Sequence, residues 1–238
     1  MTKLNWGVIG LGNIAQIFCE SFNDTSNANL LGISSRNNEK LEKFKKKFNI
    51  DKKYYFDEYE KLLKCKEIDI IYIALPTSFH YEWIIKCIEA KKNILVEKPA
   101  VLNFEQMKNI YNKMIKTDLF FYEAFAYRFH PKIKRVIELI NEDTIGKVHS
   151  METVFGQNLM TKKKFFFFEK KKKIDPHNRL FNKNLGGGVI LDLGCYPTSL
   201  SLLIASLDDN IDLNDVELTN IKKSFFNKDV EVETSLNL

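Results

Sequence analysis

Short apolar runs with no inner–outer alternation recur through the first hundred residues: LNWGVIG, LLGISS, IDIIYIAL (Ile68–Leu75) and NILVEK. Strands of that kind have both faces buried, the property of a parallel sheet covered by helices on each side. The segments between them read as helices over Ile14–Phe22, the Lys-rich Glu39–Phe48, Asp57–Lys64 and Tyr81–Ala90, with an extended piece at Tyr54–Phe56. Past Pro99 the pattern continues with a helix over Phe104–Lys116, a strand over Phe120–Ala126 and a helix from Pro131 to about Asn141. The chain is therefore expected to be α/β, with a doubly wound Rossmann sheet over residues 1–120.

After Gly146 the character changes. VHSMETVFG (148–156) alternates as a half-exposed antiparallel strand does, and VELTNIKKSFF and VEVETSLNL are strand-like. DPHNRLFNKNLGGG reads as a loop, and GGGVILDLGCYPTSL places Asp192 and Tyr196 one helical turn apart. Residues 121–238 are thus expected to form an α+β second domain, whose last strand reads as cut short.

Lys and Arg number 36 against 31 Asp and Glu, a net charge of +5, and much of that excess sits in KKKFFFFEKKKK (Lys162–Lys173). A nucleic-acid face needs its basic residues spread along a phosphate track, so no nucleic-acid partner is expected. The favoured reading of the run is a biased loop, the alternative a lid or lipid-facing patch. Cys19, Cys65, Cys87 and Cys195 show neither CxxC pairing nor a histidine cluster, which argues against a metal site or disulfide framework. The opening residues lack signal-peptide character, and no stretch reaches the ~20 apolar residues of a membrane span, so a cytoplasmic protein without a membrane partner is expected.

The first strand runs into Gly10-Leu11-Gly12-Asn13-Ile14-Ala15. In such a G-x-G-x-x-A turn the first glycine permits the tight turn and the second admits a pyrophosphate. The small third residue lets helix pack on strand, while the helix N-terminus offers unpaired N–H groups. The alternative is a tight turn without a ligand. At the end of the second strand stand Ser34, Ser35 and Arg36, where an NAD site usually carries an acid. With a guanidinium there instead, NADP is expected over NAD; the alternative is that Arg36 is a solvated loop residue.

Two further turns fall at carboxyl ends of parallel strands, Pro76-Thr77-Ser78-Phe79-His80 and Glu97-Lys98-Pro99. Taken singly, His80 and Lys98 are ordinary helix-start and surface residues. Likewise Asp192 and Tyr196 on their own read as a satisfied carboxylate and a core aromatic.

Together, GVIGLGNIA, ALPTSFH, VEKP, EAFAYRFHP and GGGVILDLGCYP resemble, in order and spacing, the Gfo/Idh/MocA oxidoreductase family, most closely its NADP-dependent dihydrodiol and D-xylose dehydrogenase branch. The resemblance covers nearly the whole chain. It implies a Rossmann domain followed by an open, mostly antiparallel sheet, and hydride transfer between a nicotinamide and a hydroxyl-bearing carbon of a sugar, polyol or cyclic diol. Gly10, Gly12, Asn13, Ile14, Ser35, Arg36, Pro76, Thr77, His80, Glu97 and Lys98 would hold the cofactor. Tyr196 would be the general acid/base; a phenol titrates near about 10, and a neighbouring ammonium, here that of Lys98, favours the phenolate. Asp192 and Arg128 would place the substrate, and Gly186–Gly188 would let the backbone approach the cofactor.

The family's sheet normally runs several strands further, so a homo-oligomer through that sheet is expected only if the sheet is complete. A cofactor-binding sensor without chemistry, or an inactive relic, is the alternative.

Overall fold

The structure, a computed structural model, describes residues 3–159, 161–164, 168–171, 175, 178–226 and 229–238. By its internal contacts the chain divides into two units, Met1–Ala124 and Phe125–Leu238.

In the first unit, β1 (Leu4–Ile9), β2 (Ala28–Ser34), β3 (Tyr55–Phe56), β4 (Ile70–Ile73), β5 (Asn93–Val96) and β6 (Phe121–Glu123) form one sheet. Its order is β3-β2-β1-β4-β5-β6, with every neighbouring pair parallel. The crossovers are α1 (Asn13–Glu20), α2 (Asn38–Lys47), α3 (Tyr59–Leu63), α4 (Thr77–Glu89) and α5 (Phe104–Met114). Period-two geometry sends successive residues of β4 into opposite cores. Ile71 and Ile73 join Ile9, Trp83, Ile94 and Ile110 on one face; Tyr72 joins Val8, Ala15, Ile33 and Phe44 on the other. Each isoleucine so buried stabilises the sheet by about 1.5–3 kcal/mol, which is why these strands read as continuously apolar. The strand order reverses between β1 and β4, and their carboxyl ends frame the crevice where open α/β sheets take ligands.

Several boundaries differ from expectation: β6 is Phe121–Glu123 where Phe120–Ala126 was read, and α3 is Tyr59–Leu63 where Asp57–Lys64 was read. β4 is shorter than Ile68–Leu75, and α4 starts at Thr77, not Tyr81, with Pro76 as its extended entry residue. The turn TSFH has no helical apolar period of its own, so its place in the helix is set by the proline and by the burial of Thr77 and His80.

The second unit contains α6 (Pro131–Asn141), β7 (Thr161–Lys164), β8 (Phe168–Lys171), α7 (Cys195–Ala205), β9 (Thr219–Phe226) and β10 (Val230–Asn237). β7 pairs antiparallel with β8, and β9 with β10. The described residues of the basic run therefore lie in the antiparallel pair β7 and β8 and not in a loop; Phe165, Phe166, Phe167, Lys172 and Lys173 lie outside the described residues. VHSMETVFG forms no strand. Alternation supplies one face of a strand but not the neighbour that takes its N–H and C=O groups, and among the described residues no ladder partner lies beside it.

By length and composition the run Lys183–Ala205 does reach that of a membrane span, against expectation. Its regular part, the wide turn Ile190–Gly194 followed by α7, rises only about 24 Å at ~1.5 Å per residue, short of a ~30 Å hydrocarbon core.

Candidate functional site

At the reversal point, Gly10 has φ +87°, and a Cβ there would sit 2.6 Å from the carbonyl oxygen of Ala74, just past β4. Only glycine allows β1 to approach β4 so closely and then turn. Gly12 differs: a Cβ would meet nothing within 4 Å. That open space faces the start of α1, whose first N–H groups have no partner within the helix. Asn13 and Ile14 are exposed in this first turn, while Ala15 is fully buried and lets α1 lie close on the sheet. The turn thus has room and donors for a pyrophosphate.

At the end of β2, Ser34 is buried, its hydroxyl donating to the Phe56 carbonyl at 2.9 Å, and Gly10 N–H donates to its carbonyl at 3.2 Å. The buried Ser35 hydroxyl accepts from Asn37 N–H at 3.1 Å. Both serines shape the turn from within. Arg36 is exposed, with its guanidinium carbon 5.0 Å from the Tyr59 ring centre and 5.8 Å from that of Trp83.

Beyond β4 and β5 lie the two remaining turns. Glu97 follows β5, and its carboxylate accepts from the Tyr72 hydroxyl. Burial, then the Glu97 charge, pushes the Tyr72 phenol far above its ordinary range. Glu97 N–H donates to the Ile73 carbonyl at 3.0 Å, and Ala100 N–H donates to Glu123 at 2.8 Å. His80 lies with one ring nitrogen 3.0 Å from the Pro99 carbonyl oxygen and the other 2.8 Å from that of Leu75. Half-buried Lys98, joined to Pro99 by a cis peptide bond, sits in the middle of this pinned segment.

His80 was expected to face a cofactor. At 1 % exposure, with both nitrogens against backbone carbonyls, it ties the Pro76 turn to the Lys98 loop. Thr77 is buried beside it. Next in the same turn, the Ser78 hydroxyl is buried with no hydrogen-bond partner among the described residues. Ser78 is not among the turn residues that the sequence motif singles out, which are Pro76, Thr77 and His80. Tyr72, Glu123 and Tyr59 were missed as well, because in sequence they are ordinary strand and helix residues.

In the second unit, Asp192 lies in the wide turn Ile190–Gly194, and Arg179 donates to it at 3.3 Å. Wide turns of this type are frequent at functional positions. Tyr196 enters α7 among aromatic rings, with centres 5.2 Å from Phe155, 5.6 Å from Phe125 and 6.1 Å from Tyr127. Arg128 donates to the Ser199 hydroxyl at 2.9 Å, and the Tyr127 hydroxyl donates to the same oxygen at 2.8 Å. Arg128 is thereby tied to α7. The glycines also serve their own unit. A Cβ on Gly187 would strike the carbonyl oxygens of Arg179, Leu180 and Asn182, and one on Gly188 the Glu231 carboxylate.

The profile of an oxidoreductase family with an NAD-binding Rossmann fold matches residues 4–125, and that of the Gfo/Idh/MocA C-terminal domain matches residues 133–212. The chain is 30% identical over 193 residues to a trans-1,2-dihydrobenzene-1,2-diol dehydrogenase of Xenopus laevis, covering 80% of this chain and 53% of that one. It is 29% identical over 205 residues to a D-xylose 1-dehydrogenase (NADP(+)) of Hypocrea jecorina, covering 82% and 51%. An NAD-binding protein from Listeria innocua shares the fold, with TM-score 0.77 at 22% identity over 99% of this chain and 63% of that one. The chain spans about half the length of the curated relatives it matches.

Proposed function

The chain belongs to the Gfo/Idh/MocA oxidoreductase family, and from that premise we propose that it works as a dehydrogenase. It would move a hydride between the nicotinamide of NADP and a hydroxyl-bearing carbon of a sugar, polyol or cyclic diol. The substrate class follows the names of its relatives, a dihydrodiol dehydrogenase and a xylose dehydrogenase.

One observation carries the reading. The Lys98 loop is held by Ile73 and Tyr72 of β4, by Glu123 of β6 and by His80 in the first turn of α4, all at the edge of the sheet where the parallel strands end. Such fixing is costly in conformational entropy, and its use is to hold a charged group at a reacting atom.

The bound cofactor supplies the hydride acceptor or donor. Around it, the Gly12 turn and the start of α1 would hold the pyrophosphate. Arg36 receives the phosphate that distinguishes NADP from NAD. Lys98 hydrogen-bonds the substrate oxygen. Tyr196 takes the hydroxyl proton during oxidation and returns it during reduction, and Asp192 orients neighbouring hydroxyls.

Titration with NADPH and NADH, followed by nicotinamide fluorescence, tests the cofactor reading. A screen of aldoses and diols at 340 nm tests turnover. Wild-type protein should bind NADPH and turn over a member of the screen. Lys98→Met and Tyr196→Phe should keep binding but lose about 10²–10⁴-fold in kcat. Failure to bind either nucleotide would sink the proposal, and binding without turnover on any substrate would favour a sensor.

A further inference from the structure

Arg36 does not hang free from the end of β2. Its guanidinium lies over Tyr59, the first residue of α3, with Trp83 of α4 as a second ring beside it. Tyr59 and Trp83 meet edge to face, their ring centres 4.9 Å apart, and are 8 % and 1 % exposed. The rings therefore form a rigid platform.

Stacking occupies a face of the guanidinium plane and leaves its edge donors in solvent, where they suit a phosphate. Competing carboxylates are drawn away. Glu60, near enough to feel the Arg36 charge, is bonded to Lys86 at 2.7 Å, and Lys86 also pairs with Glu82 at 2.8 Å.

We propose that Tyr59 is a specificity-determining positioning residue, which presents Arg36 to the phosphate found on NADP and not on NAD. The inference rests on the NADP reading above. An unstacked arginine loses rotamer freedom when it binds phosphate; one already lying on Tyr59 has little left to lose. The preference for NADP accordingly depends on the ring of Tyr59 as well as on the charge of Arg36.

The test measures Kd for NADPH and NADH on the full chain by fluorescence, for wild type, Arg36→Ala, Tyr59→Met and Tyr59→Phe. Met fills much of the ring's volume without offering a π face. Tyr59→Met should weaken NADPH binding about three- to tenfold while NADH changes less than about twofold. Tyr59→Phe, which keeps the ring, should hold the wild-type ratio. Equal loss for both nucleotides in Tyr59→Met, or an unchanged ratio there, overturns the inference. So does loss of the ratio in Tyr59→Phe, a result that stays decisive even if the Met variant does not fold. The Arg36→Ala arm separates the two claims: if it leaves the ratio untouched, the NADP reading itself has failed.

Discussion

The hydroxyl of Tyr72 on β4 donates to the carboxylate of Glu97, which lies just beyond β5. Tyr72 is in register with Leu95, so Glu97 is its diagonal neighbour on the same face of the sheet. A buried core tyrosine thereby fixes the residue that precedes Lys98. Tyr72→Phe should cost about 1.5–3 kcal/mol, the worth of a hydrogen bond to a charged group, read by denaturant unfolding. Because the folded phenol titrates far above the ordinary value, its contribution is complete below about pH 10 and falls as the pH climbs above that. Tyrosinate absorbance at 295 nm from this residue should appear only with unfolding.

Gly10 and Gly12 separate stability from binding. Gly10→Ala puts a Cβ 2.6 Å from a backbone oxygen at φ +87°, and should destabilise the first unit by about 1–3 kcal/mol or more. Gly12→Ala projects into open space. Its melting temperature should match wild type while dinucleotide affinity falls; equal melting shifts in the two variants would contradict this division.

Lys92 is buried at the opposite end of the sheet, donating to the carbonyls of Cys65 and Ile68 at 2.7 Å each. Burial holds its pKa below the ordinary lysine value. The unfolded chain then binds more protons between the folded pKa and about 10.4, so this group makes stability rise with pH across that window. Lys92→Met should remove the rise and take the ammonium donor from both carbonyls, of which that of Cys65 keeps the Ile68 N–H, at a cost of about 1–3 kcal/mol, measurable by unfolding at pH 7 and pH 9.5.

The thiols should divide by burial. Burial and the nearby Glu20 push Cys19 up to about 12, and burial raises fully enclosed Cys87 as well. Thiolate is the reactive form, so at pH 8 the folded protein should leave both unmodified by an aromatic disulfide reagent. All four cysteines should titrate once the chain is unfolded. Rapid labelling of Cys19 in the native state would contradict the packing of α1 on the sheet.

Much of the first unit is legible in its amino-acid pattern. IDIIYIAL and NILVEK carry burial on both faces in their composition, and G-x-G-x-x-A marks a turn whose sterics are local. The second unit is less so. VHSMETVFG has the alternation of a strand, but strand formation depends on a neighbour that alternation does not encode. Asp192 and Tyr196 have helical spacing, yet the wide turn through Ile190–Gly194 and the Arg179 contact are set by packing around them.

The sequence by itself determined the layer architecture, the phosphate-accepting turn and the presence of Lys98 at a strand end, because period, glycine sterics and the X-Pro restriction act within a few residues. Only the tertiary structure decided what holds those groups. Tyr72 reaches Glu97 across 25 positions, Arg128 reaches Ser199 across 71, and Arg36 finds Tyr59 on the next helix but one. Contacts of that range depend on which strands become neighbours and which helices cover them. That is settled by the burial of the whole core, and no local pattern records it.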